Sequence, residues 1–266
     1  MRSPGLEYLK RSGGLVDRVA AQMDTIRLVA DRFTATILAG RMVHVFGSGH
    51  SRVMVEEMWP RYGSFPGFHP MVELSLTFHQ MTVGSNGQRQ SMFLENVPGF
   101  AERILRNFDL DPIDSALVIS TSGCNVVPVE VAEGFRKAGV YVAGLVSTEH
   151  SEGSSSKRPD GKKLPDFSDA VLDSGAPLGD AMIQIDGMEM PVAPGSTVGG
   201  CLVVNALKAE IALRLTEAGH PPRALASGAV LGGKRAAEVF EAAYDEHGRR
   251  LAKLYADLNR EPDDAV

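Results

Sequence analysis

The chain has 266 residues, of which 44% are hydrophobic and 23% are charged, values that are ordinary for a globular protein whose core needs no disulfide or metal. Its net charge of −6 argues against a general binder of nucleic acids or membrane surfaces, although backbone N–H groups and hydroxyls can still bind an anion. Cys124 and Cys201 lack metal-binding spacing, and the sequence has neither a signal-peptide pattern nor an apolar run of membrane-spanning length. We therefore expect a cytoplasmic protein without metal or other cofactor.

The sequence predicts a single long helix over residues 5–39, within an N-terminal segment 1–40, and Gly40 follows it as a C-cap. Apolar residues recur there at alternating gaps of four and three and form one stripe. The stripe consists of Val19, Met23, Ile26, Ala30, Phe33 and Ile37. It suits packing on the rest of the domain and packing on a partner subunit equally well.

We predict the main domain at residues 41–220 and a helical extension at residues 221–266. Strands are predicted at 42–46, 71–74, 116–119, 140–146, 170–173 and 181–185, and 188–192 is a possible partner for the last one. Helices are predicted at 52–59, 99–107, 126–138, 198–218 and 234–259, residues 147–168 form an exposed loop, and 75–97 have no clear period. This alternation predicts a parallel sheet with helices on both faces and a ligand site outside the carboxyl ends of the strands.

Two of the predicted strands run directly into Ser/Gly segments that open helices, in MVHVFGSGHSR (42–52) and ALVISTSGCN (116–125). Free N–H groups at a helix start and nearby hydroxyls form a site for an anion, most often a phosphate. The predicted phosphate ligands are Ser48, Ser51, Ser120, Thr121 and Ser122, with Asn125 close by and Ser196 and Thr197 at the start of a later helix. Ordinary helix capping is the alternative explanation for each loop taken alone. No P-loop lysine or GxGxxG pattern is present, which favours a sugar phosphate over a nucleotide.

The GSGHS and ISTSG segments resemble the two phosphate loops of the SIS (sugar isomerase) domain family, and VAPGSTVGGCLVVNALKAEIA resembles the Ser/Thr-headed helix of that family. The resemblance covers about residues 40–220. It implies a flavodoxin-like three-layer α/β sandwich with a five-stranded parallel sheet. Within the family the chain looks most similar to N-acetylglucosamine-6-phosphate dehydratase and more distantly to N-acetylmuramic-acid-6-phosphate etherase.

Such chemistry needs a base near sugar C2 and an acid for the leaving oxygen, and two carboxylates in different environments suit these roles. The resemblance implies a catalytic role for Glu95, and Glu57 and His50 are the candidates to assist ring opening or leaving-group departure. Each has a simpler explanation as an exposed helix or loop residue. His79 and Glu210 are further candidates for substrate contacts, whereas His44 is expected to be a core residue. No spacing of His, Asp or Glu suggests a metal.

We expect an enzyme that acts on a phosphorylated amino sugar, an N-acetylhexosamine 6-phosphate, by abstraction of the C2 proton and elimination of water. Aldose–ketose isomerisation and binding without turnover are the alternatives. Because both terminal helices are free to pack on a second subunit, we also expect a homodimer or a higher homo-oligomer.

Overall fold

The structure is a computed structural model that describes residues 3–77 and 88–255. A five-stranded sheet forms its centre, with the strand order β2-β1-β3-β4-β5 and parallel pairing between all neighbours. The strands are β1 (Val43–Gly47), β2 (Phe68–Met71), β3 (Ser115–Ile119), β4 (Tyr141–Val146) and β5 (Ala170–Asp173). The predicted parallel α/β sandwich is confirmed.

Helices cover both faces of this sheet. The longer helices are α1 (Pro4–Ala21), α2 (Met23–Leu38), α7 (Val126–Lys137), α9 (Ser196–Glu217) and α11 (Gly233–Ala252). The shorter ones are α3 (Arg52–Met58), α4 (Leu74–Thr77), α5 (Gln88–Leu94), α6 (Phe100–Leu105), α8 (Thr148–Glu152) and α10 (Gly228–Leu231). Among the described residues, no helix is both long and apolar enough to span a lipid bilayer.

The central strands are buried along their whole length, which explains why they read as continuous apolar runs. On one face, α2, α3 and α9 pack on the sheet through side chains such as Phe33, Met58 and Leu207. On the other face, α6 and α7 contribute side chains that include Leu105 and Phe135. Burial of these two clusters is the main source of stability of the sandwich.

The predicted single N-terminal helix is wrong, because the chain breaks at Gln22 between α1 and α2. The Gln22 side chain both donates to the carbonyl oxygen of Asp173 and accepts from its N–H, at 2.6 and 2.8 Å. These two bonds attach the break to the end of β5. The apolar stripe did not reveal the break, because Val19 and Ile26 are buried on either side of it.

The strand predicted at 71–74 is also misplaced, since β2 covers Phe68–Met71 and pairs with β1 from Val43 onwards. Pro70 made this segment read as a loop, but β2 is an edge strand, where a missing N–H is tolerated. The segment predicted as an exposed loop at 147–168 contains α8 and a 3-10 turn at Leu164–Phe167, and Leu164 is fully buried.

A two-stranded antiparallel ribbon lies outside the main sheet, formed by β6 (Ala181–Ile183) and β7 (Val192–Pro194). The second strand therefore lies later in the sequence than the predicted 188–192. The start of α1 is attached to this ribbon, because the Tyr8 hydroxyl donates to the Pro194 carbonyl at 2.9 Å. At the other end of the chain, Arg250 of α11 donates to the carbonyls of Ile37 and Arg41 at 2.9 and 3.0 Å.

Candidate functional site

A cavity of about 450 Å³ lies outside the carboxyl ends of the strands, which is the size of a small-molecule pocket. We call it the site cavity. The predicted site residues that line it are Ser48, His50, Ser51, Glu95, Ser120, Thr121, Ser122, Asn125, Ser196 and Thr197. The lining residues that were not predicted are Gly49, Met54, Gln88, Met92, His150, Asp180 and Pro194. Segments far apart in the sequence therefore meet where the alternation of strands and helices predicts a ligand site.

The first loop, Gly47–Ser51, turns tightly from β1 into α3. The N–H of Ser51 donates to the carbonyl of Ser48 at 3.0 Å. A Cβ at Gly47 would lie 2.8 Å from the Ser51 carbonyl oxygen, so the turn requires glycine at this position. Gly49 also needs glycine, because its φ is +56°. Within the described residues, no hydrogen bond engages the Ser51 hydroxyl, which lines the site cavity.

The second loop, Ser120–Asn125, follows β3 and leads into α7. The hydroxyl oxygens of Ser120 and Ser122 accept from the N–H groups of Gly123 and Cys124, at 3.2 and 3.3 Å. These two serines therefore shape the loop as well as line the site cavity. No such internal bond involves the Thr121 hydroxyl within the described residues. Within the two loops, the hydroxyls of Thr121 and Ser51 are thus the most available to an anion.

Glu95 joins the two loops. Its carboxylate accepts from the Ser48 hydroxyl at 2.8 Å and from the Asn125 side-chain amide at 2.7 Å. Its backbone carbonyl accepts from the N–H of Val127 at 2.9 Å. Burial raises the pKa of Glu95, and the Ser48 hydrogen bond and the positive charge of Lys157 offset only part of that rise. A carboxyl group with a raised pKa in a cavity is a candidate for proton transfer.

Asp180 also lines the site cavity, where it contacts the start of α9. Its carboxylate accepts from the N–H of Ser196 at 2.7 Å, from the N–H of Gly195 at 3.1 Å and from the Ser196 hydroxyl at 2.7 Å. The φ of Asp180 is +64°, a conformation that non-glycine residues seldom adopt outside functional or tightly constrained positions. Because this carboxylate already occupies the helix start, a phosphate is better accommodated by the two Ser/Gly loops.

His150 also lines the site cavity, although the sequence analysis did not single it out. It lies on α8, which begins directly after β4, so it occupies the same kind of position as the loops after β1 and β3. Its Nδ1 accepts from the N–H of Gly179 at 3.0 Å. The position of His150 after the end of a buried strand was the available signal, but the polar residues around it made the segment read as an exposed loop.

The structure places Glu57 outside the residues that line the site cavity. Its carboxylate lies 2.6 Å from Arg61 and 3.3 Å from the buried Lys208. Burial alone would raise the pKa of Glu57, but hydrogen bonds from Arg61, Asn205 and Lys208 bring it below its ordinary value. A carboxylate that is committed to two cations is poorly suited to accept a proton.

Two other candidates also lie away from the site cavity or cannot be placed. Glu210 pairs with Arg214 at 2.5 Å and with Arg27 at 3.7 Å and does not line the site cavity. His79 lies outside the described residues. Among the residues that the structure describes, no group of three or more His, Cys, Asp or Glu side chains could hold a metal ion.

A parallel sheet of order 2-1-3-4-5, with Ser/Gly loops after β1 and β3 around one cavity, defines a flavodoxin-like α/β sandwich with a ligand site outside the carboxyl ends of its strands. The family model described as SIS domain matches residues 7–147. The chain therefore belongs to the SIS domain family.

Relatives extend this similarity over most of the chain. UPF0309 protein lin2794 of Listeria innocua is 30% identical over 237 residues, which cover 89% of this chain and 92% of the relative. UPF0309 protein BCAN_B0929 of Brucella canis is 34% identical over 216 residues, 81% of this chain and 84% of the relative. These names state no reaction, so the narrower similarity to the two amino-sugar enzymes stays a prediction.

Among solved structures, a phosphoheptose isomerase from Francisella tularensis has a similar fold. It covers 77% of this chain and 94% of its own length, with a TM-score of 0.50 and 16% sequence identity. At this identity the likeness supports the fold alone.

Proposed function

We propose that this protein binds a phosphorylated sugar in the site cavity and catalyses proton transfer at the carbon beside the sugar carbonyl. The observation that carries this proposal is the state of Glu95. Its carboxyl lines the site cavity, has a raised pKa, and is held by the neutral donors Ser48 and Asn125. Such a group accepts a proton near neutral pH more readily than an ordinary glutamate does.

In this proposal the phosphate binds between the two Ser/Gly loops. Ser51 and Thr121 supply hydroxyls, and Ser120 and Ser122 keep the second loop in the required shape. Ser48 and Asn125 contribute mainly by orienting Glu95. Fixing the phosphate holds the reacting end of the sugar against Glu95, and positioning of this kind can supply much of a rate enhancement.

With an N-acetylhexosamine 6-phosphate in its open-chain form, Glu95 takes the C2 proton. The C–H electron pair forms a carbon–carbon double bond with C3, and the 3-hydroxyl leaves as water after it gains a proton. This dehydration is our first assignment, and it rests on the resemblance of the sequence to amino-sugar enzymes.

Isomerisation is the second candidate, favoured by the fold that the chain shares with a phosphoheptose isomerase. On a sugar with a 2-hydroxyl, Glu95 would take the C2 proton to form an enediol and return it to C1. Both candidates use the same base and the same cavity, and they differ only in the fate of the electron pair.

Proton NMR in deuterated water tests the proposal, with N-acetylglucosamine 6-phosphate and a series of aldose phosphates as substrates. A vinylic signal with loss of the C3 oxygen indicates dehydration, and deuterium at C1 or C2 without elimination indicates isomerisation. We expect Glu95→Gln to lower either rate by about 10²–10⁴-fold, the usual contribution of a general base. Glu102→Gln, at an exposed position of α6, is the matched control.

Saturation transfer from the protein to the sugar phosphate, without turnover of any substrate in the series, would contradict the enzyme proposal and favour a sensor. Absence of both turnover and binding would overturn sugar-phosphate recognition itself.

We also propose that the protein forms at least a dimer. Large apolar side chains of α1 are exposed in the single chain, among them Leu6 at 69% and Leu9 at 66%. Exposed apolar surface of this kind often marks a protein–protein contact. Sedimentation at micromolar concentration checks the expectation, and a purely monomeric profile would contradict it.

A further inference from the structure

The turn Pro177–Asp180 is held in place by two side chains of α8. The N–H of Leu178 donates to the Glu149 carboxylate at 3.1 Å, and the N–H of Gly179 donates to Nδ1 of His150 at 3.0 Å. The helix itself is capped, since the Ser147 hydroxyl accepts from the N–H of His150 at 3.2 Å. His150 is therefore a residue of defined orientation in the wall of the site cavity.

The bond from Gly179 fixes the tautomer of His150. A neutral imidazole has one N–H donor and one bare nitrogen acceptor. Because the backbone of Gly179 can only donate, Nδ1 of His150 must carry the lone pair, and the ring proton must be on Nε2. For Nε2 to accept a proton, Nδ1 would have to become an N–H group, and two donors would then face each other at 3.0 Å. His150 is thus built to donate a hydrogen bond and not to act as a base.

We propose that His150 is the electrophilic catalyst of this site, whose neutral Nε2–H donates to the carbonyl oxygen of the open-chain sugar phosphate. The assignment rests on the proposed function. As Glu95 removes the C2 proton, the C–H electron pair forms a double bond between C2 and the carbonyl carbon, and the carbonyl π electrons move onto the oxygen. The result is an enolate, which is an enediolate where C2 carries a hydroxyl. Negative charge then develops on the carbonyl oxygen, where the His150 donor stabilises it.

The layout of the sheet supports this division of roles. Glu95 is fastened to the loops that follow β1 and β3, and His150 follows β4, the next strand in the sheet. Because both residues line the site cavity, a substrate bound there can contact the base and the hydrogen-bond donor together. A neutral imidazole held by a backbone N–H suits enolisation because its hydrogen bond strengthens as the oxygen gains charge.

A structural role is the competing explanation, because the same Gly179 bond holds the turn that carries Asp180, and Asp180 caps α9. Two substitutions separate the roles. His150→Asn places an amide oxygen near the position of Nδ1, so it retains an acceptor for Gly179 but loses the donor at Nε2. His150→Gln places an amide N–H near the position of Nε2 and retains the donor.

We expect His150→Asn to lower kcat/KM about 10²-fold or more, the cost of removing one donor to a developing oxyanion, and His150→Gln to recover part of that loss. Equal activity of wild type and His150→Asn would overturn the proposal. His220→Asn, an exposed position outside the site cavity, is the control and should leave activity unchanged.

Two further measurements do not depend on turnover. The nitrogen NMR shifts of His150 in the wild-type protein should be pyridine-like for Nδ1 and pyrrole-like for Nε2, and the opposite pattern would overturn the assignment. A hydroxamate sugar phosphate, which mimics the enediolate, should bind at least tenfold more weakly to His150→Asn than to wild type. Equal binding would also overturn it. Failure of the proposed function is a separate result, namely neither elimination nor deuterium uptake by any sugar phosphate with wild-type protein.

Discussion

The two ends of the parallel sheet each contain a carboxyl group among polar side chains, but their environments are opposite. At the amino end, Asp114 is completely buried and accepts two hydrogen bonds of 2.7 Å from the Arg41 guanidinium and one of 3.2 Å from His44. Burial alone would raise the pKa of Asp114, but the bonds from His44 and Arg41 bring it below its ordinary value. At the carboxyl end, the donors to Glu95 are neutral and its pKa is raised.

The amino-end network is closed by two histidines. In the tautomer of His44 that donates to Asp114 from Nε2–H, Nδ1 accepts from Nδ1–H of His69, at 2.9 Å. The His69 ring also packs edge-on against Phe108 at 4.7 Å. Each of these hydrogen bonds therefore has a donor and an acceptor within the protein, and the network serves stability.

The comparison teaches that burial of a carboxyl group does not by itself indicate chemistry. Asp114 has a cation in direct contact and stays charged, whereas the side chains that donate hydrogen bonds to the Glu95 carboxylate, Ser48 and Asn125, are neutral and Glu95 faces a cavity. A buried carboxylate that lacks a cation is costly unless a ligand or a proton completes it. In the proposed function, Glu95 is therefore the group at which some stability is given up for reactivity.

The largest effect is expected from a substitution that breaks the amino-end network. Asp114→Asn leaves the Arg41 guanidinium without its buried counter-charge, so we expect the free energy of unfolding to fall by about 3–5 kcal/mol. Urea unfolding followed by circular dichroism measures the loss. Asp17→Asn, at an exposed position of α1, should stay within about 0.5 kcal/mol of wild type. A loss at Asp114 as small as that of the control would show that the network is not structural.

The next effect is a loss of stability as the pH falls. Burial, together with the neighbouring His44 and His247, holds the pKa of His69 well below its usual range. The folded protein therefore favours the neutral ring, and this stability is present above the ordinary pKa of histidine and lost as pH falls towards the folded-state pKa. We expect unfolding free energy to drop by up to about 2 kcal/mol between pH 7 and pH 5 from this site.

His69→Asn tests that assignment, because its amide N–H can still donate to His44 while it cannot titrate. The variant should be less stable at pH 7, since it leaves space beside Phe108, but its stability should vary less with pH. His220→Asn is the exposed control. An unchanged pH dependence in His69→Asn would locate the acid sensitivity elsewhere.

The third effect is a dependence of stability on pH that has the opposite sign, and it arises at the carboxyl end of the sheet. The raised pKa of Glu95 means that folding favours its protonated form, so its contribution to stability is present in acid and lost as pH rises through the folded-state pKa. Glu95→Gln should therefore raise unfolding free energy by about 0.5–2 kcal/mol at pH 8 and by less in acid. Thermal unfolding at both pH values measures this, with Glu102→Gln as the control. A destabilised Glu95→Gln protein at pH 8 would mean that the charged form is well accommodated.

The smallest effect concerns the contribution of Ser48 to the pKa of Glu95. The Ser48 hydroxyl lowers the pKa of Glu95 relative to burial alone, so Ser48→Ala should move the acid limb of the kcat/KM profile to higher pH. The loss of one hydrogen bond predicts about a fivefold decrease in kcat/KM on that limb, and a smaller one at high pH. Ser155→Ala, at an exposed position, should leave the profile unchanged. A uniform loss at every pH would instead indicate that Ser48 contacts the substrate.

The fold and half of the site were predictable because their signals are local. A buried strand, a Ser/Gly turn and a helix start lie within about ten residues, so both loops could be recognised from the sequence alone. Glu95 was predicted through a family resemblance. The sequence therefore predicts those parts of the candidate site in which one short segment carries the whole pattern.

The remaining parts depend on contacts that only the folded chain makes. The tautomer of His150 is set by a hydrogen bond from Gly179, 29 residues later. The carboxylate of Asp180 is held by Ser196, 16 residues later. Glu57 looked reactive until Lys208, 151 residues away, proved to be its partner. The break at Gln22 is likewise set by Asp173. No periodicity within one segment reveals these pairings.

The attachments of the two outer helices bear on how the protein can be handled. Tyr8 contacts Pro194, a residue of the cavity wall, whereas Arg250 contacts the turn between α2 and β1 at the opposite end of the sheet. A fluorophore or a surface tether introduced beside Arg250 would therefore leave access to the cavity open. The same label placed beside Tyr8 would lie close enough to report on occupancy.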